Sequence, residues 1–184
     1  LPEVTAATAW LSGQSNFDYK DRHLTNVGYD AQSTDWLQTD VADISPGRSF
    51  SQSEHDAGAQ VVIINDTLKA RLFGDSDPIG KQVAIEGKQF AVIGVFHTKA
   101  GFLKTMDGRG PDQPRAIMPM ITAYRHLDIW RRGLMIMVKP NPAMAQGEVM
   151  DAVTELLRGR RGLKPGQPNN FALVAQERML ETFD

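Results

Sequence analysis

The sequence predicts an α+β domain, and three observations carry that prediction. Short runs of β-branched and apolar residues outnumber the stretches with helical spacing. Those runs do not alternate strictly with helices, as a parallel α/β sheet would require. Glycine and proline punctuate the chain between them, as in Pro46-Gly47 and Pro78-Ile79-Gly80.

The elements follow in order. Val4–Trp10 and Leu24–Tyr29 read as strands of small and β-branched residues. From Ser33 to Gly58 the chain reads as loop, with one helical turn around Trp36 and Leu37. Val61–Ile64 has the unbroken apolar character of a strand covered on both faces. Asn65 or Asp66 can cap the helix that follows, through Phe73, by accepting a bond from a free backbone N–H. Leu68 and Leu72 share one face of it, and Gly74 stops it in a left-handed turn. Lys81–Glu86 and Gln89–Phe96 form a hairpin joined at Gly87-Lys88, with the second strand central in a sheet. Residues 99–115 are rich in glycine and polar side chains and read as a mobile connection. A strand ending at Pro119, a short helix over Ile121–Leu127 and a strand over Leu134–Lys139 come next. The strongest helical pattern follows, with Asn141 as cap, Pro142 at its first position and an apolar stripe of Val149, Met150, Val153, Leu156 and Leu157. Phe171–Ala175 reads as a last strand, and a helix begins after it.

Composition narrows the classes. Of 184 residues, 41% are hydrophobic and 23% charged, which suits a folded chain rather than a disordered one. The net charge of −2 argues against a general nucleic-acid binder. The absence of cysteine excludes disulfides, thiolate metal sites and thiol nucleophiles. No apolar run approaches the roughly 20 residues of a membrane span. The chain starts at Leu1 without methionine and reads as an excised piece of something longer.

The stretch Arg71–Phe96 invites a nucleotide reading, because a glycine is followed by a loop and Gly80-Lys81. The spacing refuses it. A phosphate loop needs four residues between its glycines and a hydroxyl after the lysine, and a helix must follow. Here Asp75–Ile79 intervene, Gln82 takes the hydroxyl's place, and a strand pattern follows. The histidines His23, His55, His97 and His126 lack metal-ligand spacing. Glu54 and Asp56 flank His55, but they read as a solvated loop. Asp75 and Asp77 read as a turn before Pro78 rather than a calcium loop. Met118 and Met120, and Met135 and Met137, each place two thioethers on one strand face. Core filling is the plain reading of these methionines. A hydrophobic contact surface or a soft copper(I) site is the sharper one. Arg158, Arg160 and Arg161 complement the negative end of a helix, or meet anionic headgroups. No catalytic constellation is present, and the chain is expected to be no enzyme and to need no cofactor or metal.

The words of the chain nevertheless form a pattern. Gly47-Arg48-Ser49-Phe50 precedes the strand Val61–Ile64; Leu72-Phe73-Gly74 ends the helix; Asp77-Pro78-Ile79-Gly80-Lys81 leads into a strand, and Phe90 with Val92–Val95, including Gly94, closes the series. In order and spacing this resembles the MacB-like periplasmic core domain of bacterial ABC-transporter permeases. The likeness runs from about Ser45 to the end.

The resemblance implies two lobes. A membrane-proximal βαβ-type lobe would join both chain ends, 1–38 with 132–184, and a β-rich inserted lobe would span 39–131. It implies an extracytoplasmic, non-catalytic domain of an inner-membrane permease that passes ATP-driven motion to export or release of a substrate. The partners implied are a cytoplasmic ABC ATPase domain or subunit, a second permease subunit, and a periplasmic adaptor or lipoprotein-type substrate. The motif residues would build a corner and bind nothing. The isolated domain would be monomeric or weakly associated. The alternative is a stand-alone extracytoplasmic binding module that takes a hydrophobic ligand through Met118, Met120, Met135 and Met137.

Overall fold

The computed structural model describes residues 1–39, 42–98, 113–127, 129 and 135–169. Its strands are β1 (Val4–Tyr19), β2 (Arg22–Gln32), β3 (Ala42–Gly47), β4 (Val61–Asn65), β5 (Gln82–Ile85), β6 (Lys88–Thr98), β7 (Arg115–Pro119) and β8 (Met135–Pro140). Its helices are α1 (Gln52–Ala57), α2 (Asp66–Phe73), α3 (Met120–His126) and α4 (Gln146–Arg160), with a 3-10 turn over Thr34–Thr39. The fold class is α+β, as expected.

The chain divides into two compact units, Leu1–Ala6 with Val138–Asp184 and Ala7–Met137. In the larger unit six strands close on themselves. The circuit runs β2-β7-β4-β6-β5-β1, and β1 pairs with β2 to complete it. Between β1 and β5 the pairing is short, with Phe17 opposite Ile85 and Asp18 opposite Ala84. On one face Phe17, Tyr29, Val62, Ile64, Phe90, Val92 and Met118 make a continuous core with Leu68, Leu72 and Phe73 of α2. On the other face Ile63, Phe96 and Ile117 pack with Trp36, Ala42 and Phe50. Both faces of β4 are covered, so all five of its residues are buried, as an unbroken apolar strand requires.

The first two strands are longer than their apolar runs suggest. Leu11, Ser15 and Phe17 are buried while Ser12, Gln14 and Asn16 are exposed, a two-residue alternation hidden by small polar side chains. A two-residue turn at Lys20-Asp21, with Lys20 at φ 52°, joins β1 to β2. The β5–β6 hairpin turns at Glu86-Gly87, one residue earlier than expected, with both residues at positive φ.

Two expectations need correction. The region after Ser33 is not mainly loop, because it also holds β3 and α1. And α4 does not begin at Asn141. Its N-cap is Ala145, which supplies no side-chain bond. Asn141 instead takes the amide of Ala143 on its own side chain at 3.0 Å and donates its N–H to Glu3 O at 2.9 Å. An Asn side chain offered a local turn spends its oxygen there rather than on a helix start. That contact, with Thr5 Oγ1 donating to Lys139 O at 3.1 Å, ties the strands of the smaller unit together. The expected strand at Phe171–Ala175, the helix after it and the connection over 99–112 lie outside the described residues.

Candidate functional site

Several of the motif residues meet at one place. Gly47 and Gly94 face across the β3–β6 pairing. A Cβ on Gly47 would lie 2.2 Å from Ile93 O, and one on Gly94 would lie 2.6 Å from Arg48 O. The backbones therefore touch where no side chain fits. Arg48 N donates to Ile93 O at 2.9 Å across this crossing. Ile79 brings its Cδ1 to the same spot, within reach of Gly47. So three distant words of the sequence share one contact.

The turn that carries Ile79 is built stepwise. Gly74 ends α2 at φ 58° and ψ −125°, which is not the left-handed cap expected but the first centre of a type II′ turn. Ser76 N closes that turn on Phe73 O at 3.1 Å. Asp77 Oδ1 accepts from Ile79 N at 3.0 Å and sets up the buried Pro78. Gly80, at φ 81° with nothing near its Cβ position, is required by conformation alone. Its N–H donates to Val92 O at 2.8 Å, and Lys81 N donates to Pro78 O at 3.1 Å. These amides are committed to protein oxygens, so no phosphate cradle exists here. Lys81 Nζ rests 5.9 Å over the ring of Phe73, which closes the corner with a cation–π contact.

After the crossing, Arg48 and Glu54 form a two-pronged ion pair, both bonds 2.9 Å. Glu54 also accepts from Ser51 N at 2.8 Å, while Ser51 Oγ accepts from Glu54 N at 3.2 Å. This capping box starts α1. The guanidinium of Arg48 holds the Glu54 carboxyl down at about 2, against partial burial. Phe50 is buried and stacks on His55, with centroids 6.4 Å apart. His55 is therefore a half-buried helix residue, not part of a solvated loop; its Nδ1 lies 3.1 Å from Asp56 Oδ1.

The methionines separate. Met118 is fully buried in the ring's core, so it is not a surface for a ligand. Met120 starts α3 and packs half-buried against the same core. Met135 and Met137 lie on β8, and their side chains fall outside what the structure describes. Arg158 is turned back onto its own chain, donating to Lys164 O, Gln167 O and Asn169 Oδ1.

Among the described residues two concavities stand out. One, of about 480 Å³, is lined by Leu1, Glu3, Ala152, Glu155, Leu156 and Arg160 in the smaller unit. The other, of about 150 Å³, lies along Ser12, Gly13, Gly28 and Tyr29. At its floor Asp30 and Arg115 face each other at 3.6 Å, nearly buried, with Ser12 Oγ donating to Asp30 Oδ1 at 2.7 Å. Neither brings a nucleophile to a base. Among the described residues no three His, Cys, Asp or Glu side chains converge as a metal site. Sequence reasoning missed the Asp30–Arg115 pair and α1. For α1 a signal existed, since Ser51 and Glu54 stand at capping-box spacing.

Comparison with known proteins bears on this arrangement. Residues 1–156 match the family described as MacB-like periplasmic core domain. A macrolide export ATP-binding/permease protein MacB from Neisseria meningitidis serogroup A is 26% identical over 174 residues, 94% of this chain and 26% of that protein. The pyoverdine export ATP-binding/permease protein PvdT of Pseudomonas aeruginosa is 27% identical over 158 residues, 83% of this chain and 23% of that protein. This chain thus spans about a quarter of the length of the curated relatives it matches. The crystal structure of the periplasmic region of MacB from Actinobacillus actinomycetemcomitans superposes with a TM-score of 0.79 at 19% identity, over 98% of this chain and 76% of that one. The extracellular domain of the noncanonic ABC-type transporter YknZ, from Gram-positive bacteria, gives 0.68 at 18% identity, over 88% of this chain and 79% of that one.

Proposed function

The chain belongs to the MacB-like periplasmic core domain family of ABC-transporter permeases, and on that premise we propose that it works as a non-catalytic extracytoplasmic coupling domain. It would receive motion generated by ATP hydrolysis elsewhere and pass it to export or release of a substrate. Its working partners in this reading are a cytoplasmic ABC ATPase domain or subunit, a second permease subunit, and an adaptor or lipoprotein-type substrate outside the membrane. The relatives are named for the export of macrolides and of pyoverdine, so a small exported molecule is the cargo this reading favours. We further assign 1–38 with 132–184 to the membrane-proximal lobe and 39–131 to the inserted lobe.

One observation carries the reading. The family match covers the frame, the motif corner and most of α4, and the matched words build contacts rather than a reaction centre. The association of Leu1–Ala6 with Val138–Asp184 in one compact unit also supports it, because both chain ends would have to reach one membrane face. Replacing residues 1–184 in the parent permease by a short Gly/Ser linker tests it. ATP hydrolysis should persist while export falls to background. Export that survives the replacement would sink the coupling role.

The rival reading, a binding module for a hydrophobic ligand, loses its first anchor because Met118 is enclosed in the core.

A further inference from the structure

His97 stands near the end of β6, where β3 and the first turn of α2 converge. Its Nδ1 lies 2.6 Å from Asp66 Oδ2 and its Nε2 lies 2.7 Å from Ser45 O. Both partners accept and neither donates, given an ionised carboxylate and a backbone carbonyl. A neutral imidazole has one N–H and one lone pair. It would satisfy one partner and set its lone pair against the oxygen of the other. Only the doubly protonated ring donates to both. Asp43, opposite His97 in the β3–β6 register, adds a second negative charge from β3. Asp66 on α2 and Asp43 on β3 are the charged side chains that act on the ring among the described residues. The positive end of the α2 dipole opposes a cation there, and the Asp66 carboxylate offsets it.

The position on β3 matters. This strand pairs only with β6 among the described residues. Its pairing register shifts between Ile44 and Gly47, so Ser45 sits where the ladder is interrupted. The His97 bond to Ser45 O stands where a regular ladder bond is missing. The same strand leads into the Gly47–Gly94 crossing and α1.

We propose that His97 is a charged pin that fastens β3 to the start of α2, and that loss of its proton releases β3 locally. The Ser45 carbonyl, and after it the Asp66 carboxylate, raise the imidazole's affinity for its proton above the ordinary value, against some burial. A histidine with a raised folded pKa stabilises fully below its unfolded value of about 6.5, and the benefit fades as pH climbs through the folded value. The pin is therefore closed in mild acid and opens toward alkaline pH. Its physiological weight rests on the extracytoplasmic reading, since that side of a membrane follows the pH of the medium. The pin itself does not depend on that reading.

An NMR titration of the 184-residue chain between pH 5.5 and 9 tests it, following the ring nitrogens of His97 and the amide exchange of Asp43, Ile44, Ser45 and Gly47. Both ring nitrogens should carry protons in mild acid, with a midpoint above about 6.5. Protection of the four amides, measured relative to β4, should fall by up to about tenfold for each unit by which that midpoint exceeds the unfolded value. Asp66→Asn should lower the midpoint while α2 keeps its Asn65 cap, and His97→Gln should abolish the pH step in β3 exchange. A midpoint at or below about 6.5, or β3 exchange that tracks β4 at every pH, would overturn the proposal. Neither result depends on transport, so failure of the pin and failure of the coupling role are separable.

Discussion

The β3–β6 crossing and the α2–β5 corner both depend on glycine, for opposite reasons. At the crossing, Gly47 and Gly94 are needed because neighbouring backbone occupies the space of a side chain, with oxygens 2.2 Å and 2.6 Å from the would-be Cβ atoms; Gly47, at φ 88°, needs its conformation as well, so Gly94 is the pure case of contact. At the corner, Gly80 has open space around it and is needed only for its φ of 81°. The two regions read alike as sequence, each a glycine beside a basic residue. The difference teaches that a motif glycine can report either contact or conformation. The two make different demands on the rest of the fold: a crossing forces neighbours to be close, whereas a corner only redirects the chain.

Substitution should separate them. The crossing carries the largest expected effects: Gly94→Ala should lose about 3 kcal/mol in urea unfolding, at the upper end of the range for overpacking. The obstructing atom is a backbone oxygen that cannot rotate away. Gly47→Ala should cost at least as much, and the two together less than their sum, because both push apart the same pair of strands. A loss under about 1 kcal/mol for Gly94→Ala would mean that the crossing relaxes, and the contrast would collapse.

Gly80→Ala comes second, at about 1–2 kcal/mol from backbone strain alone. It should leave the amide spectrum of β3 unchanged, whereas Gly94→Ala should perturb it. Shifts spreading from Gly80 into β3 would show that the corner, too, works by contact.

The smallest effect belongs to the ion pair just beyond the crossing. Glu54→Gln should cost no more than about 1 kcal/mol at neutral pH, because Arg48 is largely exposed and solvent screens the pair. The sign of its pH dependence is fixed. A carboxyl lowered to about 2 stabilises fully above its unfolded value and loses that benefit as pH falls toward 2. Wild type and variant should therefore converge in strong acid, as read from thermal unfolding midpoints across pH. A constant gap between them down to pH 2 would assign the loss to the α1 cap instead of the charge.

How much of this was legible depended on the range of each signal. The start of α2 was readable because its cap is local: Asn65 Oδ1 accepts from Leu68 N at 2.9 Å, three residues on. The β5–β6 hairpin was readable from Gly87 and from apolar strands on either side. The family pattern was readable because its words keep their order. What held those words together was not. The Gly47–Gly94 contact joins residues far apart in sequence, and nothing in either neighbourhood announces the other. The His97 partners lie 31 and 52 residues away. Strand β3 and helix α1 are six residues each, too short for periodicity to declare them. The second half of β1 hid behind serine, glutamine and asparagine on its outward face. The methionine pairs misled in the other direction. Two thioethers on one strand face look the same on paper whether that face is open or enclosed, and Met118 is enclosed.

The closed circuit of β1, β2, β7, β4, β6 and β5 has a further consequence for the company this domain can keep. An open sheet ends in two rows of unpaired N–H and C=O groups, and each row is a template on which a foreign strand can grow. A ring has no first or last strand and offers no such template. Among the described residues the strands that hang on the ring are β8, paired with β1, and β3, which is six residues long and carries Asp43 and Pro46. A charge disfavours stacking, and a proline withholds the N–H that a growing strand would need. Where the ring's strands are paired on both sides, a docking partner has side chains to recognise and no backbone row on which to add a strand.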